Sequence, residues 1–277
     1  MRKLALIAVT SLAALSLSLA TAFATDTQWW SSQSFADYAK AEAPGVVVRP
    51  DGALEAGPAA VSFADDSLRA AWAIAPLADG SVAIAGDHGR IDRWTASGGV
   101  RPWVRLGAGQ VLCLARDGNT LLAGTGPRGA VYRIGANGDT TLVARTNERY
   151  VWAIVPGANG VVWAATGTRG QLLRIEKGVP RVVFDSEESN LVSLVSDGAG
   201  GVYSGGDSRG RIYRTLASGE TRTEFDAPED EVRALARGAD GSLWAAALSV
   251  AAVSSEGDDE GEVPAPVRAP VASKYWP

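Results

Sequence analysis

Short apolar runs recur along the chain about every 40 residues, which is within the range of periods found in structural repeats. The most regular of them is a tetrad. Its copies are Val111-Leu112-Cys113-Leu114, Val151-Trp152-Ala153-Ile154, Leu191-Val192-Ser193-Leu194 and Val232-Arg233-Ala234-Leu235, and Ala71-Trp72-Ala73-Ile74 extends the series back by one further step. A run that is short and apolar at nearly every position predicts a strand that is buried on both faces.

Glycines and arginines keep the same interval. The repeat glycines are Gly89, Gly129, Gly170 and Gly210. Each is followed four residues later by an arginine, and these are Arg93, Arg133, Arg174 and Arg214. Two independent markers with one period indicate a structural unit that is copied along the chain. A unit of this length that is rich in short apolar runs is typical of a propeller blade.

The third copy shows why the period predicts strands. Its apolar or alternating segments cover residues 151–155, 161–165, 171–175 and 181–184, with turns or a loop between them. Asn159-Gly160 suits a two-residue hairpin because both central positions take positive φ, which glycine and asparagine tolerate. Each copy is therefore predicted to be a four-stranded antiparallel meander. The fold class that follows is an all-β propeller.

The number of copies predicts about five blades. Residues 71–110, 111–150, 151–190 and 191–231 form four complete copies, whereas residues 232–247 supply only the first two strands of a fifth. Two looser strands are predicted at residues 45–49 and 59–63, so we expect residues 45–64 to complete the fifth blade. The alternative is that the chain is a truncated piece of a larger propeller with open edges.

The N-terminal segment has the features of an export signal. Arg2 and Lys3 precede an apolar stretch over residues 4–20, and Ala22-Phe23-Ala24 is a small-x-small cleavage pattern. The predicted organisation is a signal peptide at 1–24, a leader segment at 25–44, the propeller at 45–247 and a disordered acidic, Pro/Ala-rich tail at 248–277. We expect a periplasmic or secreted protein with no stable membrane span after cleavage of the signal.

Composition narrows the set of partners. The chain is 46% hydrophobic and 21% charged, with a formal net charge of −5 and no basic run. This balance argues against binding to nucleic acid, which needs clustered positive charge. The single cysteine, Cys113, excludes an internal disulfide. It aligns with small residues of the other tetrads, which predicts a buried and unreactive side chain.

Three segments of the third copy carry a family resemblance. They are Val151-Trp152-Ala153-Ile154-Val155, Gly160-Val161-Val162-Trp163-Ala164-Ala165-Thr166-Gly167 and Gly170-Gln171-Leu172-Leu173-Arg174-Ile175. Together they resemble the repeat of bacterial two-component regulator propellers, and more widely the WD40-like or NHL-like repeats of exported bacterial propellers. In regulator proteins this propeller is a periplasmic sensing part joined to a membrane helix and a kinase. The resemblance implies a propeller architecture and ligand binding.

The repeat places candidate ligand-binding residues on one face. In a propeller, the loops between second and third strands emerge beside the connections between blades. His88, Arg128, Arg169 and Arg209 each stand one residue before a repeat glycine in such a loop. Guanidinium groups suit an anionic ligand, so the predicted partner is a protein, a peptide or a small anion.

A structural role for these arginines is the competing interpretation. Acidic connections lie beside them, among them Glu148, Glu188 and Glu229, and ion pairs would tie neighbouring loops together. The third-strand arginines Arg93, Arg133, Arg174 and Arg214 are expected to pack between blades. Trp72, Trp152, Trp163 and Trp244 are expected to belong to the core.

Catalytic and cofactor signatures are weak. His88 is the single histidine, and no partner for it is identifiable by spacing. No cofactor and no metal site is predicted. A binding or scaffold module is therefore the favoured function, and a hydrolase or lyase that uses loop-face Asp and Arg residues is the enzyme alternative.

Overall fold

The computed structural model describes residues 35–38, 45–49, 51–57 and 68–249, and most of them are strand or turn. The chain divides into two compact units at residue 63. The smaller unit contains a short 3-10 helix, Phe35–Tyr38, and an antiparallel pair formed by β1 (Val46–Val48) and β2 (Leu54–Ala56). An Asp51-Gly52 turn joins the two strands, where Gly52 has φ 82° and its amide donates to the Arg49 carbonyl at 2.8 Å.

The larger unit consists of consecutive antiparallel sheets. Blade 1 contains β3 (Ala71–Pro76), β4 (Val82–Gly86), β5 (Arg90–Thr95) and β6 (Gly99–Arg105). Blade 2 contains β7 (Gln110–Asp117), β8 (Thr120–Gly126), β9 (Ala130–Ile134) and β10 (Thr140–Arg145). Blade 3 contains β11 (Tyr150–Pro156), β12 (Val162–Gly167), β13 (Gln171–Glu176) and β14 (Val179–Asp185). Blade 4 contains β15 (Leu191–Ser196), β16 (Val202–Gly206), β17 (Arg211–Thr215) and β18 (Thr221–Asp226). Blade 5 begins with β19 (Glu231–Arg237) and β20 (Leu243–Leu248), which pair with each other.

This architecture confirms the predicted all-β propeller of four-stranded antiparallel blades, with four complete blades and the start of a fifth. The predicted hairpin turn of blade 3 lies in the one-turn 3-10 segment Ala158–Gly160. Asn159 has φ 56° and Gly160 has φ 76°, as the sequence of this turn requires. Among the described residues, no helix is long and apolar enough to cross a bilayer.

The N-terminal hairpin contains one of the expected strands. β1 lies within the expected strand at 45–49, and it pairs across a tight turn with β2, which the sequence analysis did not predict. The Asp51-Gly52 pair closes this hairpin as soon as β1 ends. The expected strand at 59–63, the signal peptide at 1–24 and nearly all of the tail at 248–277 lie outside the described residues. The shared fifth blade and the domain boundaries therefore stay predictions.

The core consists of apolar layers between successive blades. The first strand of each blade packs against the first strand of the next, from β3 through β7, β11 and β15 to β19. The leading tetrad residues Val111, Val151, Leu191 and Val232 are all 0% exposed. Val111, for example, packs with Ala83 and Ile91 of the preceding blade. The period of the tetrads thus arises because each one is buried by the blade before it.

The third position of the tetrad sits where two blades meet most closely. The Cys113 thiol lies 3.4 Å from the Val151 carbonyl oxygen, and the Ser193 hydroxyl donates to the Val232 carbonyl at 2.7 Å. A Cβ on Gly124 would meet both Cys113 and Val151. Small residues at this position therefore let the innermost strands approach each other, and the burial predicted for Cys113 is confirmed.

Two equivalent tryptophans have opposite environments. Trp163 of β12 is 1% exposed and packs with Leu191 and Val202 of the following blade, while the Arg174 guanidinium lies 5.6 Å from its ring centre. Trp244 occupies the same position in β20 and is 66% exposed. The expectation that four tryptophans belong to the core is met at Trp163, is met in part at the half-buried Trp152, and is wrong at Trp72, which is 45% exposed, and at Trp244. Trp163 is covered by side chains of the following blade.

We expect Trp163→Ala to lower the free energy of unfolding by about 3–5 kcal/mol, because it empties a filled space between two blades. Trp244→Ala is the matched control, and it should cost less than about 1 kcal/mol because little packing is lost at an exposed ring. Urea denaturation followed by circular dichroism measures both values. Equal losses in the two variants would contradict the exposure of Trp244.

Candidate functional site

Loops of two kinds meet at one end of the blades, which we call the loop face. These are the loops between second and third strands and the connections between blades. Repeat glycines join them, since the Gly129 carbonyl accepts from the Thr146 amide at 2.9 Å and the Gly170 carbonyl accepts from the Ser186 amide at 3.2 Å. The predicted shared face for these loops is therefore present in the structure.

The repeat glycine is required by space, and in Gly89, Gly170 and Gly210 also by a positive φ. Gly170 has φ 54°, and a Cβ built on it would overlap the carbonyl oxygen of Glu188. Gly129 meets the Glu148 carbonyl in the same way, and Gly210 meets the Glu229 carbonyl. The residue before each glycine is consequently held at a fixed place beside the connection that follows its own blade.

At the junction of blades 2 and 3, Arg169 is held by a buried carboxylate. Glu148 is 5% exposed, and its Oε1 accepts from Arg169 Nε at 2.6 Å. Its Oε2 accepts from the backbone amide of Arg169 at 3.2 Å. This arrangement matches the structural interpretation of the arginine, in which the pair joins two neighbouring loops.

At the junction of blades 3 and 4, Glu188 takes the same place and is 3% exposed. Its Oε2 accepts from the amides of Ser208 and Arg209, each at 2.8 Å. The Tyr213 hydroxyl donates to Oε1 at 3.2 Å. Burial raises the pKa of Tyr213 to about 12, and the nearby Glu188 carboxylate contributes to the rise. The Arg209 guanidinium pairs instead with Glu187 at 2.7 Å.

At the junction of blades 1 and 2, Arg128 has no such partner. It lines a cavity of about 310 Å³ together with Tyr132 and Arg145. The connection here is Gly107-Ala108-Gly109, without a carboxylate. Among the described residues, neither Arg128 nor Arg145 makes an ion pair or a side-chain hydrogen bond.

His88 lies at the corresponding point of blade 1, with φ 56°. It lines a smaller cavity of about 100 Å³ with Arg69, Asp87 and Arg105. The Asp87 carboxylate accepts from the Trp72 indole nitrogen at 2.9 Å. The structure thus places His88 and Arg128 beside separate cavities and engages Arg169 and Arg209 in ion pairs.

The last residue of the outer strand is positively charged in blades 1 and 2 and negatively charged in blades 3 and 4. The equivalent positions are Arg105 and Arg145 in blades 1 and 2, and Asp185 and Asp226 in blades 3 and 4. Gln171 donates to Asp185 at 2.9 Å, and the Arg211 guanidinium donates to Asp226 at 3.2 Å. The cationic half of the loop face therefore lies on blades 1 and 2.

The third-strand arginines lie away from this face. Arg133 pairs with Asp117 of its own blade at 2.5 Å, Arg214 contacts Asp197 at 3.4 Å, and Arg93 pairs with Asp79. Arg174 reaches the Ala217 carbonyl of the next blade at 2.8 Å. These contacts fit the structural role that was expected of the four arginines.

Comparison with known proteins supports the fold. No family profile and no curated protein matches this sequence. The solved structure of a streptogramin B lyase shares 17% identity over 63% of this chain, with a TM-score of 0.55. A virginiamycin B lyase from Staphylococcus aureus, solved with quinupristin, shares 20% identity over 63% of this chain, with a TM-score of 0.53. The chain spans 61% and 62% of their respective lengths.

The extracellular domain of a hybrid two-component system from B. thetaiotaomicron is also similar. It shares 17% identity over 67% of this chain and 26% of its own length, with a TM-score of 0.53. At these identities the likeness shows the fold alone. The resemblance to regulator propellers is thus supported as architecture.

Three residues that line the Arg128 cavity were not predicted from the sequence. Tyr132, Arg145 and Ala108 carry no motif of their own. Alignment of the connections would have found the last of them. The series Ala108, Glu148, Glu188 and Glu229 keeps the same spacing as the tetrads and lacks the acid only at its first member.

Cys113 provides a test of burial beside the innermost strands. Burial raises the pKa of its thiol from 9.0 to about 12. The folded protein should therefore hold Cys113 as an unreactive thiol at pH 8, because only the thiolate attacks disulfide reagents. Labelling with Ellman's reagent should be slow in buffer and complete in denaturant. Rapid labelling of the folded protein would contradict this burial.

Proposed function

We propose that this protein is an exported propeller binding module whose loop face engages an anionic partner. The observation that carries the proposal is the cationic half of that face. Arg105, Arg128 and Arg145 lie on neighbouring blades, and within the described part of the chain none of the three has a carboxylate partner. Arginines that are not neutralised within a fold attract carboxylate and phosphate groups through charge-assisted hydrogen bonds.

The kind of partner follows from the shape of the face. The cavities are small and are connected to an exposed loop surface, which fits a peptide or protein that presents acidic groups, or a small anion. Asp185 and Asp226 on blades 3 and 4 would orient such a partner by repelling its negatively charged end. An extracellular domain of a hybrid two-component system has the same fold, so the fold is compatible with a place outside the cytoplasm.

The enzyme alternative has no specific support. The likeness to two lyases rests on the fold, and folds of this kind serve many functions. Asp87 is the carboxylate beside His88, and it is already bonded to Trp72. Among the residues that the structure describes, no group of three His, Cys, Asp or Glu side chains is placed to hold a metal ion.

Binding of fluorescent octaglutamate at fixed ionic strength tests the proposal. Replacing Arg105, Arg128 and Arg145 together by Gln should weaken binding at least about tenfold, because three charge-assisted contacts are lost. The control replaces Arg101, Arg181 and Arg237 by Gln, which changes the net charge equally away from the cationic half. Equal weakening in both variants would indicate a general charge effect and would overturn the proposal.

Export is tested separately. We expect the mature protein recovered from the periplasm or medium of an expressing bacterium to begin at Thr25, since Ala22-Phe23-Ala24 is the cleavage pattern. N-terminal sequencing or intact mass measurement identifies the start. Full-length protein confined to the cytoplasm would contradict the export part of the proposal.

A further inference from the structure

The loop face repeats one carboxylate site at successive junctions. In two of them a glutamate from the connection between blades enters the space below the next blade's second-to-third-strand loop. Glu148 and Glu188 are both nearly fully buried there, at 5% and 3% exposed. A buried carboxylate is stable only where donors satisfy its oxygens. The two junctions therefore show which hydrogen-bond donors surround a carboxylate at this place on the loop face.

The donors come from equivalent positions. Glu148 is held by the backbone amide and the guanidinium of Arg169. Glu188 is held by the backbone amide of Arg209 and the hydroxyl of Tyr213. An arginine amide one residue before the repeat glycine is common to both sites. A guanidinium completes one site, and a tyrosine hydroxyl contributes to the other.

The junction of blades 1 and 2 keeps the arginine and a tyrosine, has Pro127 in place of the donor Ser208, and lacks the carboxylate. Arg128 stands in the position of Arg169 and Arg209, and Tyr132 stands in the position of Tyr213. Ala108 replaces the glutamate, with Gly107 and Gly109 on either side. The result is the cavity of about 310 Å³ that these residues line. The missing side chain thus leaves both room and unneutralised donors.

Arg145 adds a second positive charge to the same cavity. It ends β10, where the next two blades have Asp185 and Asp226. Glu148, the nearest acid of the connection that follows, is engaged by Arg169. Two guanidinium groups and a hydroxyl are therefore available to one anionic group.

We propose that this cavity binds the carboxylate of a small ligand or of a peptide, which takes the place that the glutamate occupies at the next two junctions. The inference rests on the proposed function, in which the loop face receives an anionic partner, and it names the chemical group recognised. Arg128 supplies its amide and guanidinium, Tyr132 its hydroxyl and Arg145 a second guanidinium. A carboxylate is the group of choice because both occupied junctions hold one.

Titration with sodium acetate tests the site on the full chain labelled with ¹⁵N-arginine. Sodium chloride at equal ionic strength is the reference. We expect the Nε–H signal of Arg128 to shift saturably with acetate, and Arg169 to stay unchanged because Glu148 already occupies its site. Ala108→Glu should abolish the Arg128 shift without lowering the melting temperature, because the new side chain supplies the carboxylate internally. Arg128→Gln should weaken acetate binding at least about tenfold, as read from the Arg145 signal.

The converse variant provides an independent measurement. Glu148→Ala should open an equivalent space below Arg169, so that acetate then shifts the Arg169 signal and raises the lowered melting temperature. If this variant does not fold, Ala108→Glu still decides the question, since it fills the natural cavity. An acetate response at Arg128 that persists in Ala108→Glu would overturn the proposal. Tighter binding of inorganic phosphate than of acetate would overturn the carboxylate assignment.

The two proposals fail in different ways. If Ala108→Glu loses both octaglutamate binding and the acetate response, both proposals are supported. Acetate binding at Arg128 without octaglutamate binding would overturn a peptide or protein as the partner in the proposed function, and it would leave the small anion and the carboxylate site standing. Octaglutamate binding that is unaffected by Ala108→Glu, without an acetate response, would overturn the carboxylate site alone.

Discussion

Burial of one blade by the next is the constraint on which this structure depends. A four-stranded sheet with apolar residues on both faces cannot exclude water by itself, so each blade needs a neighbour on either side. The leading tetrad residues are fully buried, and Val111, Val151 and Leu191 pack in clusters that include the preceding blade. The same requirement explains why Ala71 and Trp244, at the two ends of the described series, remain exposed.

Packing between blades also determines where chemistry is possible. The innermost strands meet through small residues such as Cys113 and Ser193, and the charged groups that recur from blade to blade lie toward the ends of the strands. At one end, arginines such as Arg133 and Arg214 are engaged by acids of nearby turns. At the loop face, glycines such as Gly170 hold their loop against the connection that follows the same blade, while the Arg169 amide faces Glu148 of the preceding connection. Hydrogen-bonding groups at one junction therefore have counterparts at the same repeat position of the next junction.

Periodicity made most of the fold predictable. The strand positions of blade 3 and the Asn159-Gly160 turn followed from local rules, because hairpins between neighbouring strands depend on residues close in sequence. β2 was not predicted, since the N-terminal strands carry no repeat marker and only the Asp51-Gly52 turn indicates a hairpin there. The site was predicted only as a set of arginines. Whether Arg169 is neutralised and Arg128 is free depends on the preceding connection, half a repeat away in sequence, which the position of the arginine alone does not reveal.

A repeated frame makes each departure from the repeat informative. Buried glutamates stabilise the contact between loops at the junctions of blades 2 and 3 and of blades 3 and 4. At the junction of blades 1 and 2, Ala108 stands in that position, so the stabilising pair is missing and no apolar side chain fills the space. Arg128 and Arg145 are exposed and line one cavity without a carboxylate between them. In the proposed function, this local loss of an ion pair leaves both guanidinium groups available to a ligand. The same comparison assigns Arg169 and Arg209 to the frame and separates them from the residues that are free to contact a partner.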